Sequence, residues 1–282
     1  ILAKGPGSTV INHGTISNET YTAVSVGLGA NITNSGTISA SYGIGLLDNG
    51  GSYGAKIFND GTILARNRAV DLGSNFVGSS LTNTGLIAGD PKAYSGAISG
   101  SYGDDTIHNF GEIVGDITLG YGNDLFVHGG GHIAGAIDLG RDDDTIVLEV
   151  VGPGDRFVLD GGSGLDMIDL SAFGNAIWFN MSSQRPEIWT RDGATVTTGD
   201  WRSIADARGF EKIIGTVGVD YLAGNDEDNW FGYMGTALNP GNETMLGFGG
   251  HDTADFSRFE SAVWVNLESS TREAWTKDTD SV

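Results

Sequence analysis

Four aspartates recur at nearly even spacing in the middle of the chain, and each closes a glycine-rich turn. They are Asp105, Asp124, Asp144 and Asp166, separated by 19, 20 and 22 residues. Calcium takes about six to eight oxygen ligands, and glycine lets a turn direct its backbone carbonyls toward an ion. The spacing therefore predicts a row of calcium-binding turns, with the four carboxylates lined up along one edge of the fold.

Later parts of the chain repeat the glycine-aspartate pattern and extend the set of candidate ligands. The predicted metal-binding residues are Asp105, Asp124, Asp142, Asp144, Gly162, Gly164, Asp166, Asp169, Asp220, Asp252 and Asp255. Magnesium is the less favoured ion because it keeps its waters and requires stricter octahedral geometry. A single turn of this kind arises by chance in a glycine-rich chain, so the prediction depends on several turns at regular spacing.

An asparagine repeat in the first third indicates how the chain positions these turns. Apolar residues flank an Asn-x-Gly turn each time, and the asparagines lie 22, 25, 24 and 26 residues apart. They are Asn12, Asn34, Asn59, Asn83 and Asn109. Asparagine and glycine both tolerate the positive φ that a sharp turn demands. Asparagines stacked in successive coils could also share side-chain hydrogen bonds in a ladder.

Stretches that alternate apolar and polar residues, such as 23–26 and 136–139, lie between these turns. Alternation of this kind is typical of strands with one buried face. The predicted fold class is all-β, a parallel β-helix or β-roll solenoid with glycine-aspartate calcium-binding turns, in which each interval forms one coil. A β-sandwich is the alternative, but it requires antiparallel hairpins and does not explain a constant period.

The last third carries a longer repeat with an offset of 86 residues. Trp178 and Trp189 return in it as Trp264 and Trp275. We interpret these tryptophans as caps over a core, with sugar stacking as the alternative. The second copy stops at Val282, which predicts that the natural protein continues. The predicted domains are 1–98 with Asn-x-Gly coils, 99–170 with calcium turns on β-helix coils, and 171–282 with the truncated 86-residue repeat.

The charge is distributed unevenly along the 282 residues. The net charge is −21, and all of it comes from residues 101–282, which hold 31 acids and 10 bases. Such a segment repels nucleic acid and anionic membranes, and it is destabilised by self-repulsion unless cations neutralise it. The chain has no cysteine and no apolar run long enough for a membrane span. We therefore expect calcium as a partner, and neither nucleic acid nor a membrane span.

One segment resembles a known family. Residues 161–169 match the repeats-in-toxin (RTX, hemolysin-type) nonapeptide Gly-Gly-x-Gly-x-Asp-x-apolar-x at every defined position, and 215–223 and 247–255 each match with one glycine replaced. The 86-residue units look like those of large bacterial surface proteins exported by type I secretion. The Asn-x-Gly coils are similar to those of secreted β-helical adhesins. The resemblance implies calcium-dependent folding outside the cell, at the bacterial surface.

Two classes of function are compatible with these patterns. The favoured one is a non-catalytic, secreted, calcium-stabilised solenoid that acts as a structural, adhesive or self-assembling protein in a surface layer or filament. It would form homo-oligomers or polymers through the solenoid ends and could contact surface polysaccharide. The alternative is a β-helical polysaccharide lyase, epimerase or hydrolase, with His108, His128 and His132 converging from adjacent coils, or the calcium-binding RTX module of such an enzyme.

Overall fold

The computed structural model describes residues 1–47, 53–74, 76–90, 96–183, 185–191, 200–234 and 243–259, and the backbone alone at 263–265 and 274–276. No helix occurs in these residues, and the chain folds as a parallel β-solenoid of about 10 turns. The predicted all-β solenoid is therefore confirmed. The chain forms two compact units, Ile1–Met167 with Ala205–Phe210, and Ile168–Ile204 with Glu211–Val282. The predicted domain boundary at residue 98 stays a prediction.

Short strands make up both units. In chain order they are β1 (Leu2–Ala3), β2 (Thr9–Asn12), β3 (Thr15–Gly27), β4 (Asn31–Asn34), β5 (Thr37–Leu47), β6 (Lys56–Asn59), β7 (Thr62–Ala65), β8 (Val70–Asp71), β9 (Ser80–Asn83), β10 (Leu86–Ala88), β11 (Ile98–Ser99), β12 (Thr106–Asn109), β13 (Glu112–Val114), β14 (Ile117–Gly120), β15 (Leu125–His128), β16 (His132–Ala134), β17 (Ala136–Arg141), β18 (Thr145–Leu148), β19 (Phe157–Ser163), β20 (Met167–Asp169), β21 (Ile177–Asn180), β22 (Glu187–Arg191), β23 (Trp201–Arg208), β24 (Lys212–Ile214), β25 (Tyr221–Ala223), β26 (Trp230–Gly232), β27 (Thr244–Leu246), β28 (Thr253–Asp255), β29 (Val263–Val265) and β30 (Ala274–Thr276).

Each coil of the first unit passes through three rows of parallel strands. The first row consists of β2, β4, β6, β9, β12, β15 and β18. An Asn-x-Gly turn, replaced after β15 by His128 and three glycines, leads from it into the second row. The second row starts with the first half of β3 and of β5 and continues through β7, β10, β13 and β16. The third row contains β8, β11, β14, β17 and β19. Every strand therefore pairs with its counterpart one coil away.

Aliphatic columns fill the interior of the first unit. In the first row, Ile32 pairs with Ile57, Ile57 with Leu81, and Leu81 with Ile107, and all four side chains are buried. Burying one such side chain contributes about 1.5–3 kcal/mol. Alternation within each strand places these residues inside together with the asparagine two residues later, and it leaves the intervening side chains, such as Thr33 and Phe58, on the outer face.

The glycines of the Asn-x-Gly turns allow the coils to approach closely. A Cβ atom added at Gly36 would overlap the carbonyl oxygen of Gly14, and one at Gly61 would overlap that of Gly36. Neither Gly36 nor Gly61 has a positive φ. The positive φ expected from the sequence was therefore wrong for these turns. Glycine is needed there because a side chain would collide with the backbone of the previous coil.

The second unit combines parallel rows with antiparallel hairpins. β25 pairs in parallel with β21 and β27, and β26 pairs in parallel with β24 and β28. The hairpin β21–β22 is antiparallel, with Trp178 opposite Trp189. The hairpin β29–β30 has the same register, with Trp264 opposite Trp275, at an offset of 86 residues. Local antiparallel pairing is therefore compatible with the solenoid.

Candidate functional site

The four evenly spaced aspartates form one buried column in the first unit. The backbone N–H of Asp105 donates to Oδ1 of Asp124 (2.6 Å), and the N–H of Asp124 donates to Oδ1 of Asp144 (2.7 Å). The N–H of Asp144 donates in turn to Oδ1 of Asp166 (2.9 Å). All four residues are at most 2% exposed. The column predicted from the spacing is confirmed, and we call it the aspartate column.

The column begins at Asp105, whose carboxylate accepts two backbone hydrogen bonds. Oδ1 accepts the N–H of Ser79 in the preceding coil (2.6 Å), and Oδ2 accepts the N–H of Ser101 in the same turn (2.7 Å). Asp105 therefore closes its own glycine turn and also holds the neighbouring coil. Backbone N–H donors are strong partners for a buried carboxylate, so this position favours a side chain that accepts hydrogen bonds.

A second, exposed ladder runs beside the aspartate column in the opposite direction. The N–H of Asn123 donates to Oδ1 of Asp104 (2.8 Å), and the N–H of Asp143 donates to Oδ1 of Asn123 (2.9 Å). The N–H of Leu165 then donates to Oδ1 of Asp143 (2.9 Å). In this ladder each side chain accepts from the following coil, whereas in the column each accepts from the preceding coil. Two consecutive residues of a glycine-aspartate turn therefore bind the two neighbouring coils, one the preceding coil and the other the following coil.

Burial and mutual repulsion shift the titration of the column. Burial, followed by the charges of Asp105 and Asp144, raises the pKa of Asp124 to about 8. Burial raises the pKa of Asp144 to about 7, with a smaller effect from the charge of Asp166. Burial also raises the pKa of Asp105 to about 6, against the hydrogen bonds from Ser79 and Ser101. The column therefore favours a bound proton or a nearby cation over bare charge.

Two oxygens of the column fit the chemistry of a calcium ligand. Oδ2 of Asp124 and Oδ2 of Asp144 are buried and accept no hydrogen bond. A cation would satisfy both, since a buried carboxylate oxygen is costly to leave unpaired. Within the residues that the structure describes, however, no three His, Cys, Asp or Glu side chains come together as a metal centre. An ion held here would take most of its oxygens from the backbone or from water.

The other candidates in the first unit lie around the column. A Cβ atom at Gly162 would overlap the carbonyl oxygen of Gly140, and one at Gly164 would overlap that of Asp142. Gly162 has a φ of 99° and Gly164 a φ of 154°, so both also favour glycine for conformational reasons. Asp142 is exposed and has a φ of 78°. Its Oδ2 accepts the N–H of Gly122 (3.1 Å).

The candidates in the second unit also accept backbone hydrogen bonds. Asp220 is buried, and its carboxylate accepts from Ile177 (2.8 Å) and Thr216 (2.6 Å). Asp252 accepts the N–H of Asn229 (3.0 Å). Asp169 and Asp255 each accept the N–H of the serine two residues later, at 2.8 Å and 2.7 Å. Their predicted role as calcium ligands stays a prediction.

The asparagine ladder is confirmed and continues without interruption through five coils. Nδ2 of each of the first four asparagines donates to Oδ1 of the asparagine in the next coil at 2.7–2.8 Å. The members are Asn12, Asn34, Asn59, Asn83 and Asn109, all buried. Each Nδ2 from Asn34 to Asn109 also donates to the carbonyl of the glycine two residues later. The ladder therefore satisfies the buried turns and couples every coil to the next.

His128 occupies the next position of the asparagine ladder, a placement that was not predicted from the sequence. Its Nδ1 lies 3.4 Å from Nδ2 of Asn109, and its ring packs edge-on against Phe157 with centroids 4.9 Å apart. Burial lowers the pKa of His128, which favours the neutral ring. Aligning 125–128 with 106–109 would have identified it. His132 is exposed and contacts Asp155 instead (2.9 Å).

The surface of the first unit carries two open grooves of about 280 Å³ each. One is lined mainly by small side chains such as Ser17, Ser39 and Ala65, with Glu19 and Arg66 at its sides. The other lies between Leu28, Tyr53 and Lys56. Ser17 and Ser39 stand at equivalent positions of successive coils, and Leu64 takes that position in the next coil.

These features define the class of protein as a parallel β-solenoid whose coils are joined by internal polar ladders. No protein-family model matches the sequence, and no curated protein matches it either. In the part of the chain that the structure describes, no helix has the length and apolar character needed to cross a bilayer.

Proposed function

We propose that this chain is a non-catalytic structural solenoid, stabilised by calcium, that works outside a bacterial cell in a surface layer, filament or adhesin. One observation carries the proposal: the aspartate column and the asparagine ladder both join successive coils of the first unit. Both ladders use buried polar groups to hold coils together. The RTX resemblance of 161–169 supports the same setting.

Calcium enters the proposal through Asp124 and Asp144. Their Oδ2 atoms would bind the ion, which would supply the positive charge that the buried carboxylates lack. The acidic segment from residue 101 onward, with 31 acids and 10 bases, gains from the same neutralisation. Calcium binding releases protons from groups whose pKa is raised, so the ion should bind more tightly as the pH rises.

Self-assembly is the second part of the proposal. A stack of parallel coils presents unpaired N–H and C=O groups wherever the stack is open, and such groups pair readily with another chain. Copies that stack coil on coil would continue the strand rows and the polar ladders. Electron microscopy of the purified protein, with and without calcium, tests this part, and a monodisperse monomer under both conditions would contradict it.

The calcium proposal predicts a thermal shift. In saturating calcium we expect the melting midpoint of the protein to exceed that in EGTA by about 5–10 °C, since a ligand at a hundred times its Kd contributes about 2.7 kcal/mol. Far-UV circular dichroism during a thermal ramp measures the shift. The segment from residue 96 onward should respond most, and residues 8–95 should depend less on the ion.

The matched control is the double variant Asp124→Asn and Asp144→Asn. Asparagine keeps the Oδ1 acceptor of the column but removes the charge that would bind calcium. We expect this variant to fold and to lose most of the calcium response. Identical melting of the unaltered protein in calcium and in EGTA would contradict a role for the ion, and an equal shift with magnesium would contradict its identity.

A further inference from the structure

An exposed row of aromatic rings runs along the first unit beside the polar ladders. Phe76, Tyr102 and Tyr121 occupy the same position in three successive coils. The ring centroids of Phe76 and Tyr102 are 5.5 Å apart, and those of Tyr102 and Tyr121 are 5.2 Å apart. Arg141 takes this position in the next coil, and its guanidinium lies over the ring of Tyr121, 5.0 Å from the centroid. We call these four residues the aromatic edge.

The aromatic edge is open to solvent. Phe76 is 83% exposed, Tyr102 44% and Tyr121 41%. Isolated exposed aromatic residues are ordinary, but a continuous row is a feature of binding surfaces. The contacts between the rings stabilise the row itself and leave its outer side uncovered.

A row of polar side chains runs parallel to the aromatic edge, two residues further along each turn. It consists of Asp104, Asn123 and Asp143, which are exposed. Each uses Oδ1 to accept a backbone N–H, so the second carboxylate oxygen of Asp104 and of Asp143 remains available to a ligand. The two rows thus run side by side along coils that are about 4.8 Å apart, and the carboxylates of Asp104 and Asp143 lie two coils apart with Asn123 between them.

The charges around the edge favour a cationic ligand. An aromatic face attracts a cation, and the guanidinium over Tyr121 shows that this edge already accepts one. The surrounding segment, from residue 101 onward, has 31 acids against 10 bases and would repel an anionic polymer. A repeated site on successive coils also favours a linear ligand that repeats its own groups.

We propose that the aromatic edge binds a linear polysaccharide that carries amino groups. The apolar faces of the sugar rings pack on Phe76, Tyr102 and Tyr121, and the ammonium groups pair with Asp104 and Asp143. This adds a ligand to the proposed structural role and names the class of polysaccharide. It rests on that role only for its biological setting, because neither the rings nor the exposed carboxylates require calcium.

Isothermal titration calorimetry with chitosan oligosaccharide tests the proposal. The comparison ligands are the N-acetylated oligosaccharide of the same length and an oligouronate. We expect the amino-sugar ligand to bind most tightly, the acetylated one more weakly and the uronate not at all. The double variant Tyr102→Ala and Tyr121→Ala should weaken binding at least about tenfold, because it removes two of the three rings on which the sugar rings pack. The pair Asp104→Asn and Asp143→Asn, which keeps the ladder acceptors, should weaken the amino sugar and leave the acetylated ligand unchanged.

The control is Tyr21→Ala, which removes a tyrosine that is 73% exposed on β3, away from the edge. Its affinity should equal that of the unaltered protein, and circular dichroism should show all variants folded. Equal affinity for chitosan in the tyrosine double variant, equal binding of the uronate, or equal loss in Tyr21→Ala would overturn the proposal. Titrations in EGTA and in calcium keep it separate from the calcium proposal, which fails on the thermal shift alone.

Discussion

Replacing Asn34 by alanine is expected to lower the free energy of unfolding by about 2–5 kcal/mol, because it breaks the asparagine ladder and leaves buried partners behind. Asn34 is fully buried, accepts from Nδ2 of Asn12 (2.7 Å) and donates to Oδ1 of Asn59 (2.7 Å). Both partners lose a hydrogen bond in a place that water cannot reach. The midpoint of denaturant unfolding measures the loss.

The same strand provides a matched control. Asn31 lies three residues before Asn34 in β4 and is exposed. Its replacement by alanine should change the unfolding free energy by no more than about 0.5 kcal/mol, as is usual for surface positions. Equal effects at Asn31 and Asn34 would show that the ladder contributes nothing beyond strand propensity.

The second large effect is expected from pH. Asp124 and Asp144 have pKa values of about 8 and about 7 in the folded protein, against an ordinary value of 3.8. A carboxyl whose pKa is raised by folding stabilises the fold fully below the unfolded pKa, and this contribution is lost as the pH rises through the folded pKa. In EGTA, the free energy of unfolding should therefore fall by several kcal/mol between about pH 5 and about pH 9. Each tenfold difference in proton affinity between the folded and unfolded states contributes about 1.4 kcal/mol.

The second unit shows that asparagine can take the place of an aspartate in such hydrogen bonds. In the second unit Asn229 accepts the N–H of Asn225 (2.8 Å) and donates its own N–H to Asp252 (3.0 Å), so an asparagine can do the structural work of an aspartate. Asp124→Asn should therefore fold and should flatten the pH dependence in urea titrations. Asp143→Asn, at an exposed ladder position, should flatten it much less. If Asp124→Asn leaves the pH profile unchanged, the buried charge of Asp124 is not the cause of the pH dependence.

The even spacing of the Asn-x-Gly and glycine-aspartate turns was sufficient to predict the coils, the aspartate column and the asparagine ladder. Spacing works here because each coil places the same position at the same point of the stack. It could not show what the carboxylates bind. The pattern that suits calcium also suits backbone N–H groups of the neighbouring coil, and only coordinates distinguish Oδ1 of Asp124, which is paired, from Oδ2, which is not.

Other features were visible in the sequence but were not recognised. Tyr102, Tyr121 and Arg141 each stand three residues before a column aspartate, and an alignment on the aspartates would have predicted the aromatic edge. His128 at an asparagine position was missed because the ladder was defined by residue type and not by place in the coil. The hairpin register of Trp178 and Trp189 had no signal beyond the 86-residue repeat.

Amide hydrogen exchange at Asp105, Asp124 and Asp144 tests most directly whether the buried carboxylates join the coils. Each of these N–H groups donates to the aspartate of the next coil, so we expect exchange only when the first unit unfolds, as slowly as for Ile107 in the core of β12. Exchange at the rate of the exposed turn residue Gly154, under conditions in which Ile107 stays protected, would show that the column is not formed.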